Sequence, residues 1–291
     1  MPKQVTVFLV KSFTQDKNFG SPTGIVLDAD DLSEQQMQTI ATKLNFAESA
    51  FVLASEKADY RLRFFAPNYE VALCGHATIA SFHLLVEQGH ITFGEADHVT
   101  LTQETSAGLL QVTCYKDGRI VMSQNEPTFG AIEADRNRVA GLLGISAADF
   151  LDYPVQVVST GTPKLLVPLA SLKALRAVTQ DTEGIKQYCR KTEAKGIYPF
   201  TMESPIPNTD FFARQFNPLA DENEDPLTGV AAGALGCYAR KYKLLDKEQF
   251  IVAQGYDLNM GGNMLVDVSN GVQVGGYAVV YGQTKEAYEE D

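Results

Sequence analysis

The sequence predicts two copies of one α/β unit, related by a pseudo-twofold. Three observations carry this. The chain has 291 residues, which is two domains at roughly 150 residues each. A Gly/Pro turn feeding an apolar strand occurs twice, as Gly20-Ser21-Pro22-Thr23-Gly24 before Ile25-Val26-Leu27 and as Ser159-Thr160-Gly161-Thr162-Pro163 before Leu165-Leu166-Val167. The segment Phe211 to Pro218 mirrors Tyr60 to Pro67, and each leads through a loop into a helix of small residues. Pro22 thereby corresponds to Pro163, Pro67 to Pro218 and Gly75 to Gly229. The spacing drifts by insertion while the order holds; the competing reading is a coincidence of common turn residues.

In chain order, Val5 to Val10 is β-rich and predicts the first strand, and the Gly20–Gly24 turn precedes a short second one. Ser33 and Gln36 fit a capping box, and Met37, Ile40, Ala41 and Leu44 recur at helical spacing, so a helix follows. Strands are expected at Phe51-Val52-Leu53 and Tyr60 to Phe65. The stretch from Ala66 turns from loop into a helix that runs to about Glu87, with Gly89 just past its end. Strands follow near Val99 to Leu101, Gly108 to Cys114 and Arg119 to Met122. Asp135 to Leu143 and Ser146 to Leu151 read as linking segments. Helical stretches are expected at Leu169 to Leu175 and Gly184 to Lys195, and Thr228 to Leu235 forms the second small-residue helix.

Composition excludes several classes. The chain is 45% hydrophobic and 21% charged, which is ordinary for a protein with a packed core. A net charge of −12 leaves no basic stripe for a nucleic-acid backbone or an anionic membrane surface. No apolar run approaches the ~20 residues of a spanning helix, and no cleavage site follows Val5 to Val10. A cytoplasmic location is therefore expected. Cys74, Cys114, Cys189 and Cys237 form no CxxC pair, and His83, His90 and His98 show no metal spacing with His76. No metal is expected.

Each copy presents a loop running into a helix rich in Gly, Ala and Thr: Gly75-His76-Ala77 in the first, Gly229-Val230-Ala231 in the second. First-turn N–H groups attract anions, and the helix dipole adds to this. Small residues let a ligand approach the backbone, although tight helix packing alone would select them too. Such a pair of sites suits a small carboxylate-bearing substrate. Glu48 lies among apolar and small neighbours in Phe46-Ala47-Glu48-Ser49-Ala50-Phe51. Desolvation there would raise its pKa toward that of a general base for C–H abstraction; an exposed Glu at a helix-to-strand turn is the plain alternative. Asp225 before Pro226 is either a helix start, with Asp as N-cap and Pro at N1, or a group that holds or ionises a polar part of the substrate. Glu222 and Glu224 share its loop and are expected to be solvated. His76 is either a structural hydrogen-bonder or a neutral imidazole able to donate and accept.

Taken together these residues resemble the PhzF-like phenazine-biosynthesis isomerase family, relatives of diaminopimelate epimerase. The resemblance rests on Gly20-x-Pro-x-Gly24, Phe46-Ala-Glu48-Ser-Ala-Phe51, Arg63-Phe-Phe-Ala-Pro67, Cys74-Gly-His-Ala-Thr78, Ser159-Thr-Gly-x-Pro163, Glu224-Asp-Pro-Leu-Thr-Gly229, Gln254-Gly255 and Val274-Gly-Gly-x-Ala278, which together span nearly the whole chain. It implies an α+β fold of two pseudo-twofold-related domains, each a mostly antiparallel or mixed sheet wrapped around a central helix. The halves fall at 1–123, completed by a C-terminal strand at 272–282, and at 124–271. It further implies cofactor-free proton transfer in an inter-domain cleft. By the resemblance Glu48 is the catalytic acid/base, His76 and Asp225 complete the catalytic set, and Gly75 and Gly229 present backbone N–H groups. Cys74, Ala77, Thr228 and Val230 flank these glycines as candidate substrate contacts.

Two positions depart from the family pattern. Val230 stands where the family often has Ser, removing a hydroxyl contact and counting against a phenazine-precursor substrate; Ser21 stands where the turn often has Asn. Cys74 sits where epimerase relatives carry the first of two thiols, but the repeat sets Thr228 opposite it, and an alcohol is too weak an acid for that role. The expected function is thus an isomerase moving a proton on a small carboxylate-bearing substrate. The alternatives are an amino-acid racemase or epimerase using Cys74 with Glu48 or Asp225, and a non-catalytic small-anion-binding protein. A homodimer is compatible with the sequence, as is a monomer.

Overall fold

A computed structural model of the chain describes residues 3–220 and 222–289; the side chains of Ala220, Glu222 and Asn223 fall outside that description. The expectation for the Glu222 side chain therefore lies outside the described residues. The chain divides into two compact units, Met1–Ser123 with Gly275–Asp291, and Gln124–Val274. Both are α+β.

The first unit carries strands β1 (Lys3–Ser12), β2 (Ser21–Val26), β3 (Ser49–Leu53), β4 (Tyr60–Phe65), β5 (Glu70–Val71), β6 (His98–Thr105), β7 (Gly108–Tyr115) and β8 (Ile120–Gln124), with helices α1 (Glu34–Leu44) and α2 (Gly75–Glu87). The C-terminal strand Ala278–Tyr288 pairs antiparallel with β1. Next come an antiparallel β1–β2 pair, a parallel β2–β3 pair, an antiparallel β3–β4 pair, a parallel β4–β6 pair and an antiparallel β6–β7 pair. Each parallel step needs a crossover connection; α1 supplies the first and α2 the second. Helix α2 is buried on nearly all sides, from Ala77 to Phe82 and at Leu84 and Leu85. A helix that is apolar all round is a core element, and the sheet wraps it, touching it through β1, β2, β3, β7 and the C-terminal strand.

Helix α1 begins as its capping box dictates: Gln36 N donates to Ser33 Oγ, and Ser33 N donates back to Gln36 Oε1. Its buried face of Met37, Ile40 and Ala41 packs with Val7, Val26, Phe51 and Phe65. The Gly20–Gly24 turn differs from expectation. Only Gly20 turns, at φ +90°, and strand β2 already starts at Ser21. Pro22 is tolerated because it faces Lys11 of β1, whereas pairing with β3 begins only at Gly24; a missing N–H matters little where no second neighbour asks for it.

The second unit carries β9 (Thr128–Ile132), α3 (Arg136–Leu143), β10 (Gln156–Ser159), β11 (Lys164–Pro168), α4 (Leu172–Ala177), α5 (Thr182–Lys191), β12 (Ile197–Thr201), β13 (Phe211–Ala213), β14 (Gln215–Asn217), β15 (Glu222–Asp225), α6 (Gly229–Tyr242), β16 (Gln249–Gln254) and β17 (Gly262–Asp267). Its pairings repeat those of the first unit in order. They are antiparallel for β9–β10 and β10–β11, parallel for β11–β12, antiparallel for β12–β13, parallel for β13–β16 and antiparallel for β16–β17. Helix α6 is buried without interruption from Ala231 to Ala239 and is this unit's central helix.

The duplication extends to side chains. Arg63 grips Glu70 in a two-pronged pair through Nε and Nη2, each 2.7 Å from a carboxylate oxygen. Arg214 grips Glu224 likewise, each at 2.8 Å. The two guanidinium groups stack on Phe65 and Phe216 at 5.1 and 4.9 Å. Such forks fix geometry as well as charge. Glu224 is thus held by Arg214 rather than solvated, because the arginine immediately precedes β14, the strand that pairs with β15.

Three further differences have local causes. Asp135 to Leu143 is helix α3, capped by Asp135 and stopped by Gly144 at φ +65°, and Ser146 caps a short 3₁₀ turn at Ala147–Asp149. Helices α4 and α5 begin at the caps Ser171 and Asp181 rather than at the expected residues. Strand β9 lacks a buried face, so no alternation marked it.

Burial of Phe82 on the central helix, completely sequestered and edge-on to Tyr60 at 6.0 Å, predicts a large cost for removing it. Phe82→Ala should lower unfolding free energy by about 3–5 kcal/mol, read from urea denaturation.

Candidate functional site

In the first unit, α1 ends at Asn45 in a left-handed conformation, φ 53°. The chain turns there and delivers Glu48 on the last loop residue before β3. His76 is the second residue of α2 and Cys74 its N-cap. The structure brings these three together. Glu48 Oε2 lies 3.3 Å from His76 Nε2, with side chains 24% and 13% exposed. Cys74 Sγ lies 3.4 Å from His76 Nδ1 and 3.7 Å from Nε2. Glu48 is therefore less than half exposed, and the group facing it is the His76 imidazole. Neighbouring Ala47 is exposed and Phe46 only half-buried.

The start of α2 is chemically open. No side chain caps it. Thr78 fastens the first turn by donating its N–H and its hydroxyl to the Cys74 carbonyl, at 3.0 and 2.8 Å. A Cβ built on Gly75 would meet only Met122 Sδ, at 3.6 Å. Packing does not require glycine there. Ala77 is fully buried, so its methyl group offers no surface to a ligand.

In the second unit Asp225 ends β15 and is not the helix cap. Its Oδ1 accepts from Leu227 N at 3.0 Å, and its Oδ2 accepts from Thr228 Oγ1 at 2.5 Å. Thr228 is the N-cap of α6, yet its hydroxyl is spent on Asp225, and α6 also starts without a side-chain cap. By contrast Ser33, Asp135, Ser171 and Asp181 each bond a first-turn amide of α1, α3, α4 and α5. Among the described α-helices, α2 and α6 alone lack this partner.

Gln254 ties the second loop together. Its Nε2 donates to the Asp225 carbonyl at 2.8 Å, and its Oε1 accepts from Tyr198 Oη at 2.9 Å. Gly255 follows at φ +77°, where a Cβ would stand 2.6 Å from the Pro226 carbonyl. Glycine is required there both by conformation and by that approach. Val230 offers its carbonyl to Thr160 Oγ1 at 3.1 Å, and Gly229 its carbonyl to Gln124 Nε2 at 3.3 Å. Small residues further along α6 serve packing: a Cβ on Gly233 would lie 2.1 Å from Gln124 Oε1, and one on Gly236 2.5 Å from Val266.

Sequence reasoning missed two features. Lys164 opens β11 fully buried; desolvation holds its ammonium below the usual lysine range, and the Asp225 charge opposes this in part. The signal was a lone lysine heading the apolar run Leu165-Leu166-Val167. The second is the donor set of Glu48, Cys74 and His76, whose ligand atoms all lie within 4.8 Å of one another. A search for His–His spacing passes over it; the Cys74-x-His76 pair was its only local trace.

No helix among the described residues is long and apolar enough to cross a membrane. Residues 10–284 match the family model described as phenazine biosynthesis-like protein. The chain is 35% identical over 293 residues to an uncharacterized isomerase of Bacillus subtilis, covering 99% of this chain and 98% of that one. It is 33% identical to an uncharacterized isomerase of Escherichia coli, covering 90% of each. Among solved structures it is similar to a phenazine biosynthesis protein of the PhzF family from Bacillus anthracis, with a TM-score of 0.87 at 32% identity, covering 98% and 99%. A hydroxyproline epimerase from Agrobacterium vitis shares the fold, with a TM-score of 0.63 at 11% identity, covering 98% and 92%. A duplicated α+β architecture, the motifs spread along the chain and this full-length similarity together make the protein an isomerase of the PhzF phenazine biosynthesis-like family.

Proposed function

We propose that the protein is a cofactor-independent isomerase that moves a proton between positions of a small carboxylate-bearing substrate, with Glu48 as both base and acid. The observation that carries this reading is the Glu48–His76 pair, 3.3 Å apart, at the uncapped start of α2. A carboxylate of the substrate accepts hydrogen bonds from first-turn amides near Gly75 and His76. The dipole of α2 favours that charge. Glu48 removes a proton from a substrate carbon conjugated with that carboxylate through a C=C bond. The electron pair delocalises toward the bound carboxylate, where the amides stabilise the developing charge. Glu48 then returns the proton to a different carbon. His76 orients the Glu48 carboxylate and hydrogen-bonds it in either protonation state. Asp225, Thr228, Gly229 and Val230 are the second unit's candidates for binding the polar groups of the substrate. Val230, which lacks a hydroxyl, favours a substrate other than a phenazine precursor.

One observation favours a second reading. Cys74 Sγ at 3.4 Å from His76 Nδ1 is placed for a thiol to deliver or remove a proton, as an epimerase would require. Inversion at a stereocentre, rather than movement of a double bond, would identify it.

Glu48→Gln keeps size and hydrogen-bonding reach but removes the proton acceptor. In a panel of small carboxylic acids incubated in deuterated water, label uptake should fall by at least ~10²-fold, while the melting temperature stays at the wild-type value. Retained exchange in a folded variant would move the base elsewhere, with Cys74 the first suspect. Gly75→Ala tests the anion site separately. Helix propensity should leave the fold unharmed or more stable by about 0.5–1 kcal/mol. The methyl group, standing where the substrate approaches, should weaken binding by about 1–3 kcal/mol, seen as a raised KM.

A further inference from the structure

We propose that Glu48, Cys74 and His76 form a binding site for one thiophilic divalent cation such as Zn²⁺, and that the bound cation shuts off proton transfer. The inhibition rests on the role proposed above for Glu48; the binding does not.

Donor identity is the first ground. One thiolate, one imidazole and one carboxylate are all zinc ligands, and the thiolate selects soft cations over Mg²⁺ or Ca²⁺. Spacing is the second. Zn–N near 2.0–2.1 Å and Zn–S near 2.3 Å place tetrahedral ligand atoms about 3.3–3.6 Å apart. Here His76 Nε2 lies 3.3 Å from Glu48 Oε2 and 3.7 Å from Cys74 Sγ, and all three donors lie within 4.8 Å of one another. Cys74 Sγ lies 3.4 and 3.7 Å from the two ring nitrogens, so the imidazole must turn to aim Nε2 at a cation shared with the thiolate. Attachment is the third. Cys74 is extended, φ −137° and ψ 116°, so it and His76 leave the chain two residues apart at the head of a buried helix, and Glu48 arrives from a separate loop. That is a clamp from two elements.

Charge also balances. On binding, the Cys74 thiol releases its proton to solvent, Glu48 binds as carboxylate and His76 as neutral imidazole. Two negative ligands neutralise the dication, so the positive end of α2 does not oppose it. No electron is transferred. Three protein ligands leave a fourth position for water or for a substrate carboxylate, the pattern of an open site. With its carboxylate coordinated, Glu48 shares its electron density with the dication and is a far weaker base toward a substrate C–H bond.

The test is titration of the chelator-stripped full chain with Co²⁺, followed in the absorption spectrum, then displacement by Zn²⁺. The expected result is one Co²⁺ per chain with a thiolate-to-cobalt charge-transfer band. The band should vanish in Cys74→Ala and persist in Cys237→Ala, a buried thiol outside the cluster. His76→Ala should raise the dissociation constant by more than the about 10–100-fold that loss of an outer-shell partner costs. A measurement on the unmodified chain guards against a variant that fails to fold. Zn²⁺ should protect Cys74 from iodoacetamide, located by peptide mass spectrometry. Absence of the charge-transfer band, its survival in Cys74→Ala, or unprotected Cys74 at saturating Zn²⁺ would each overturn the site. Where exchange activity is in hand, Zn²⁺ should abolish it and a chelator restore it. Stoichiometric Zn²⁺ binding with undiminished exchange would overturn the inhibition while leaving the binding intact, and would point to a base other than Glu48.

Discussion

The structure depends on a helix start left without a side-chain cap. A helix presents four amides with no intrahelical partner, and Ser, Thr, Asp or Asn at the N-cap normally takes one of them. Helices α1, α3, α4 and α5 follow that rule. Helices α2 and α6 do not. At α2 the N-cap is a cysteine; at α6 it is a threonine whose hydroxyl is turned to Asp225. These are also the two most deeply buried helices, each wrapped by its own sheet. Burial fixes the helix axis rigidly, and the missing cap leaves its positive end available. A core element in each unit thereby also carries the helix start proposed to bind the substrate.

One scaffold carries two different chemistries. The paired strand orders and the Arg63–Glu70 and Arg214–Glu224 forks show the same construction twice. On it, the first unit sets the Glu48 carboxylate against an imidazole. The second unit sets Asp225 in a network with Thr228 and Gln254, where every oxygen of the aspartate side chain is engaged. A carboxylate tied down in that way is suited to holding geometry. One that touches a single imidazole and stays partly exposed is suited to exchanging protons.

Much of this was legible in the sequence because it was written in local punctuation. Ser33 and Gln36 announced α1, Gly89 closed α2, and the repeat of turn, strand and small-residue helix exposed the duplication. What escaped had no local trace. Strand β9 is held by its pairing with β10, not by an apolar face. Helix α3 was hidden because its cap Asp135 and stop Gly144 bracket only two turns. Asp225-Pro226 looked like a helix start, but the Asp225 carboxylate is taken by Leu227 N and Thr228 Oγ1, and α6 begins only after Thr228. The meeting of Glu48 with Cys74 and His76 depends on where the loop after α1 lands, which no window of sequence encodes.

The central claim is that the uncapped helix starts are the anion-binding elements. Amide chemical shifts in a ¹⁵N-labelled chain titrated with succinate test it most directly. The account predicts saturable shifts at Gly75, His76, Gly229 and Val230, with the capped first turn of α1 at Gln36 unmoved. Shifts that bypass α2 and α6, or that spread equally over capped and uncapped helices, would contradict it.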